Sequence, residues 1–208
     1  MRFLIADDHA IVVRGIKQLL QEDYPHAEIS GVGDAEELLK SVALQNWDLV
    51  LCDLNMPGRN GIEALIQIKQ MRPHLPVLIM SMYPEEHFAV RVMRNGAAGF
   101  LSKDTLHHNL LAAVRQALLG KKFVTQSVAE KLAEAIDDRK VRNLHEQLSN
   151  REFEVFLLLA NGKSTGDIAH LLSLSVATVS TYRARIFDKM HVHSVTDLTR
   201  YALEHKLI

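Results

Sequence analysis

The 208-residue chain has one cysteine, Cys52, so it cannot form an internal disulfide and offers no cysteine set for a structural zinc. A lone thiol suits a reducing compartment, and a cytoplasmic location is the expectation. The chain also lacks charge of one sign. Its formal net charge is −1; residues 1–121 hold 12 basic and 14 acidic side chains, and residues 147–208 hold 7 and 6. Bulk electrostatics therefore announces no nucleic-acid partner, and any such reading must rest on a motif. No run of about 18 apolar residues exists, so no membrane span is expected. Asp7 and Asp8 arrive too early for the apolar segment of a signal peptide. Repeats and low-complexity tracts are missing too. What remains is ordinary globular composition, 48% hydrophobic and 24% charged, with length enough for two unequal domains.

Over the first 120 residues, short apolar runs alternate with helical patterns. Phe3–Ala6, Leu49–Cys52, Val77–Met80 and Gly99–Leu101 have strand length, and Ile29–Val32 is a weaker case. Continuous apolarity predicts parallel strands covered on both faces. Helical spacing appears at Ile11–Gln21, Ala35–Leu44, Ile62–Met71, Glu86–Arg94 and Leu106–Leu119. Five strand–helix units with short connections predict an α/β fold, the flavodoxin-like doubly wound parallel sheet of order 2-1-3-4-5. After Gly120 the character changes. The expected organisation is a first domain over 1–121, a linker over 122–146 and a second domain over 147–208. Ser127–Lys140 carries an amphipathic pattern, so the linker is expected to be partly helical. The last segment shows no strand pattern and breaks into four helices.

Polar residues interrupt the strands at one kind of place. Asp7 and Asp8 follow the first strand, Asp53 the third, Ser81 ends the fourth and Lys103 lies just past the fifth. In a parallel sheet these ends share one edge, where ligands bind at the switch in strand order. Three carboxylates brought together repel unless a cation joins them, and hard oxygen donors suit magnesium. Lys103 adds a point charge able to neutralise a phosphoryl oxygen. A flavin is disfavoured, because Asp7-Asp8-His9 stands where a phosphate-cradling loop would be needed.

Residues 1–121 resemble a response-regulator receiver domain. The resemblance is carried by Asp7-Asp8, by Leu51-Cys52-Asp53-Leu54-Asn55-Met56-Pro57-Gly58, and by Ser81 and Lys103. It implies that Asp53 accepts a phosphoryl group from a histidine kinase. It further implies that Asp8, Asp53 and the backbone carbonyl of Asn55 hold magnesium, with Asp7 acting directly or through water. Ser81 and Lys103 would then engage the transferred group. Pro57-Gly58 with Asn60-Gly61 reads as turn chemistry closing the loop beneath Asp53. Phe100 occupies the place of the family's aromatic switch residue, commonly Tyr; without a hydroxyl, its coupling relies on ring burial. Met82 and Tyr83, two bulky residues after Ser81, are expected to shield the acyl phosphate; the alternative is that they turn outward and belong to an interface on the fourth helix.

Leu148-Ser149-Asn150-Arg151-Glu152 contains a capping box before an apolar run. Ser164-Thr165-Gly166-Asp167 opens a second helix, and a longer one follows Ser173–Ser175. Two helices joined by a tight turn, the second with a polar face, make a helix-turn-helix. Leu148-Ser149-x-Arg151-Glu152, Ala160-x-Gly162, Asp167-Ile168-Ala169, Thr178-Val179 and Lys189-Met190 resemble the LuxR-type output domain of the NarL/FixJ response regulators. The resemblance implies a transcriptional regulator that binds duplex DNA and is no enzyme beyond receiver self-catalysis; an output acting on protein or RNA is the alternative. With Val179, Ile186 and Met190 inward, Ser180, Thr181 and Ala184 are expected at base edges and Arg183 and Arg185 at bases or phosphates. Lys163, Ser164, Thr165 and Lys189 are expected at phosphates. One recognition helix per chain predicts a homodimer on phosphorylation. The eleven histidines show no ligand spacing and are expected to be ordinary surface or core residues.

Overall fold

The computed structural model describes residues 1–56, 59–136, 143–205 and 207–208, without the side chains of 85–87, 131 and 133–136. Pro57-Gly58 and the end of the expected linker helix, 137–140, lie outside the described residues. The chain divides into two compact units, Met1–Ile136 and Asp137–Ile208.

The first unit alternates β1 (Arg2–Ala6), α1 (Ala10–Asp23), β2 (Glu28–Val32), α2 (Ala35–Leu44), β3 (Leu49–Asp53), α3 (Gly61–Met71), β4 (Val77–Ser81), α4 (Glu85–Arg94), β5 (Gly99–Ser102) and α5 (Leu106–Leu118). All pairings are parallel and the strand order is β2-β1-β3-β4-β5. Every residue of β3 and β4 is buried, and the edge strand β5 is buried over Gly99–Leu101, whereas β2, at the other edge, is half exposed. That explains why its sequence signal is the weakest of the five. Phe3, Ile5, Leu51, Leu78 and Met80 meet Leu110 and Val114 of α5 in the core. Asp34 and Asn60 cap α2 and α3, each side chain accepting a backbone hydrogen bond three residues on.

The chain after α5 stays with this unit. Phe123 forms a parallel bridge to Gly99, its N–H donating to the Ala98 carbonyl at 2.8 Å. A further helix, α6 (Gln126–Ile136), then packs against α4.

The second unit is helical: α7 (Asn150–Ala160), α8 (Thr165–Leu171), α9 (Val176–Met190) and α10 (Val195–Glu204). Each opens on a serine that caps it, namely Ser149, Ser164, Ser175 and Ser194, and the first two form reciprocal capping boxes with Glu152 and Asp167. Positive φ at Gly162, Ser173 and His191 turns the chain after the first three helices. α7 packs on α9 and α10 around Phe153, Phe156, Val179, Ile186 and Leu198. A buried ion pair, Arg151 to Glu154 at 2.7 Å, sits inside this core, and Arg151 also donates to the Leu172 carbonyl at 3.2 Å. Among the described residues no helix is long and apolar enough to cross a membrane.

Candidate functional site

β1 and β3 are neighbours with Ala6 opposite Cys52, so Asp7 and Asp53 emerge side by side at the sheet's C-terminal edge. Both are 2% exposed. Lys103, one residue past β5, places its ammonium 2.7 Å from Asp7 Oδ2 and 3.0 Å from Asp53 Oδ1. Ser81 closes β4 and is buried; its hydroxyl accepts the Tyr83 N–H at 3.0 Å. Asp8 stands at the exposed rim. Five of the residues expected at this edge therefore converge.

Gly61 lets the loop after β3 close. A Cβ there would lie 2.2 Å from the Asp53 carbonyl oxygen, and the Gly61 N–H donates to the Leu54 carbonyl at 2.8 Å. The Asn55 side-chain oxygen is buried without a hydrogen-bond partner.

Burial pushes the Asp53 carboxyl up to about 6; the charge of Asp7 adds to this, and Lys103 works against it. Burial opposes the Lys103 ammonium, but Asp53 and Asp7 outweigh it and hold its pKa above the ordinary lysine value. One ammonium among three carboxylates leaves the pocket net negative. Oxygen donors, excess negative charge and an orphaned buried amide oxygen fit a divalent cation of the magnesium kind. Burial also pushes the neighbouring Cys52 thiol up, so it is inert filler.

A pH dependence follows. Between about pH 4 and pH 6 the folded chain holds a proton on Asp53 that the unfolded chain has released. The folded state therefore loses stability as pH rises through that window, and the penalty persists above it. In metal-free buffer, Asp53→Asn is expected to gain on the order of 2–3 kcal/mol over the native chain between pH 4 and pH 7. Denaturant melts at the two pH values measure this; an unchanged difference contradicts it.

The pocket has a member that the residue pattern did not single out. His9 Nδ1 lies 2.8 Å from Asp8 Oδ1 and 3.1 Å from Asp7 Oδ1, and Asp7, Asp8, His9 and Asp53 each place a ligand atom within 4.8 Å of the others'. Its position directly after the acidic pair was the available signal. Phe100 is buried on β5, opposite Ile79. Of the two residues expected to shield the pocket, Met82 is 63% exposed and Tyr83 stacks at 5.2 Å on Phe88 of α4. That arrangement favours an α4 surface role for Tyr83.

On α9, Val179, Ile186 and Met190 are buried, and Ser180, Thr181, Arg183, Ala184 and Arg185 are exposed. Ser180 and Thr181 hydroxyls donate to the Val176 and Ala177 carbonyls at 2.9 and 3.0 Å. Lys163 and Ser164 are exposed before α8, with Thr165 half buried. Lys189 is placed differently from the others: it pairs with Glu152 at 2.6 Å, tying α9 to α7 through the carboxylate oxygen that also accepts the Ser149 N–H.

The response regulator receiver domain matches residues 3–115, and the domain of bacterial regulatory proteins of the luxR family matches residues 146–202. Oxygen regulatory protein NreC of Staphylococcus haemolyticus is 33% identical over 215 residues, spanning 100% of this chain and 99% of NreC. Response regulator UvrY of Escherichia coli K12 is 30% identical over 205 residues, 98% of this chain and 94% of UvrY. Among solved structures, RcsB of Salmonella enterica serovar Typhimurium, bound to promoter rprA with phosphomimetic BeF3−, is similar with TM-score 0.64 and 25% identity. The match spans 97% of this chain and 98% of that one.

Proposed function

This chain belongs to the response regulators that carry a LuxR-type domain, and on that premise we propose that phosphorylation of Asp53 controls its binding to duplex DNA. The carrying observation is the buried Asp53 carboxylate, 3.0 Å from Lys103 and beside Asp7, in one chain with a capped helix-turn-helix whose outer face is polar. Asp53 attacks the phosphorus of a kinase phosphohistidine; a P–O bond forms, the P–N bond breaks and the imidazole leaves. Asp7, Asp8 and Asp53, with the Asn55 carbonyl, would hold magnesium, which when bound neutralises phosphoryl oxygens. Lys103 is positioned to pair with one such oxygen, and Ser81 can turn its hydroxyl to another. Such a step asks for positioning and charge rather than further covalent chemistry, which is what this edge supplies. The receiver spans 1–121, the linker 122–146 and the output domain 147–208 in this reading, and the chain works in the cytoplasm.

On the DNA, Ser180, Thr181 and Ala184 face base edges, Arg183 and Arg185 bases or phosphates, and Lys163, Ser164 and Thr165 phosphates. Lys189, already engaged by Glu152, is the weakest member of the set. One recognition helix per chain reads one half-site, so the active form is a homodimer on paired half-sites. Arg185→Ala is expected to weaken binding by about 1–3 kcal/mol with relaxed sequence preference if it reads a base, or to reduce the salt slope by about 1 if it holds a phosphate. Gel shifts at several salt concentrations distinguish these. Unchanged affinity for both Arg183→Ala and Arg185→Ala would remove α9 as the DNA-reading helix.

A further inference from the structure

We infer that α9 reads thymine methyl groups, so that each half-site is built on A·T pairs beneath residues 177–184. The inference deepens the DNA-binding reading above and rests on it. Opposite the buried Val179, Ile186 and Met190, the positions at helical spacing are Ala177, Thr181 and Ala184, all three exposed. Val176 stands beside them in the first turn and is 52% exposed. Asp188 continues this ridge in the last turn of α9, but a recognition helix meets base edges with its N-terminal residues. The part of the ridge that enters the groove therefore presents methyl groups.

The hydroxyls along it are already engaged as donors. Ser180 Oγ donates to the Val176 carbonyl at 2.9 Å, and Thr181 Oγ1 donates to the Ala177 carbonyl at 3.0 Å. Ser175 serves as the cap: its Oγ accepts the Thr178 N–H at 3.0 Å and lies 2.8 Å from Thr178 Oγ1. In the major groove guanine shows two acceptors and asks for a donor. An A·T pair instead shows the thymine methyl group and the adenine N6 donor. Methyl groups, with oxygens left only to accept, suit the second pattern and not the first. The long donors stand outside the ridge. The Arg183 guanidinium lies over the Phe187 ring at 5.1 Å, and Arg185 is one residue round the helix from Ala184, placed for a phosphate or for a guanine at the edge of the half-site.

The test uses the full chain, with phosphodonor and magnesium, and a pool of random duplexes long enough for two half-sites. The most enriched duplex is then made with deoxyuridine at each thymine in turn, which deletes the 5-methyl group alone. Affinity should fall about fourfold at one or more thymines of each half-site, the worth of burying one methyl group. Thr181→Ser should abolish that sensitivity at one of these positions. Thr181→Val, which keeps a methyl group and loses the hydroxyl, should retain it. Uracil tolerated without loss at every position overturns the proposal, and so does a native pattern of sensitivity left intact by Thr181→Ser. If no sequence is enriched from the pool, the DNA-reading role of α9 fails first and takes the proposal with it.

Discussion

Asp53→Asn is expected to take up no phosphoryl group, where the native chain takes one, when incubated with a small-molecule phosphodonor and magnesium. The amide has nearly the same volume and stays neutral, so the pocket keeps its shape and loses the attacking carboxylate. Asp7 is as deeply buried and also touches Lys103, which makes it the natural competitor. Its Oδ1, however, accepts the His9 N–H and its Oδ2 faces the ammonium. Asp53 Oδ1 shares Lys103, and its carboxyl is pushed up to about 6, still ionised at neutral pH and more basic than an ordinary aspartate. Intact mass measurement settles the assignment: one added phosphate on the native chain and none on the variant. A label that persists on Asp53→Asn would move the acceptor to another residue.

Arg151→Ala is expected to destabilise the helical unit by about 3–5 kcal/mol, because Glu154, 1% exposed, would keep a buried charge without its guanidinium. The same change removes the hydrogen bond to the Leu172 carbonyl at the end of α8. Against a typical domain stability of 5–15 kcal/mol, this is enough to lose DNA binding through unfolding rather than through a lost contact. The double variant Arg151→Met, Glu154→Leu should recover much of the loss, since apolar pairs replace buried ion pairs at little cost. Urea melts of the full chain measure both. A single-variant loss below about 1 kcal/mol would show that the pair is better solvated than its burial indicates.

Most of the sheet was legible because central parallel strands are buried on both faces, and Leu49–Cys52 or Val77–Met80 can only be apolar. Ile29–Val32 was faint because β2 is half exposed and needs no such run. The carboxylate edge was legible from strand ends alone, since strand order fixes which ends meet. His9 was not, because its part depends on a rotamer that brings Nδ1 between two carboxylates. The tie of Lys189 to Glu152 joins residues 37 apart, so it leaves no local pattern to read. An amphipathic pattern after Gly120 marked a helix without naming α4 as its neighbour. The bridge from Phe123 to Gly99 left no periodicity to read.

The most direct test is the affinity of the full chain for its best-bound genomic duplex, measured with and without phosphodonor and magnesium, beside Asp53→Asn. Phosphorylation is expected to raise the affinity of the native chain at least tenfold, with two chains per duplex, and to leave the variant unchanged. Equal affinity with and without the donor, despite one phosphate on Asp53, would contradict control of the DNA-binding unit by this receiver.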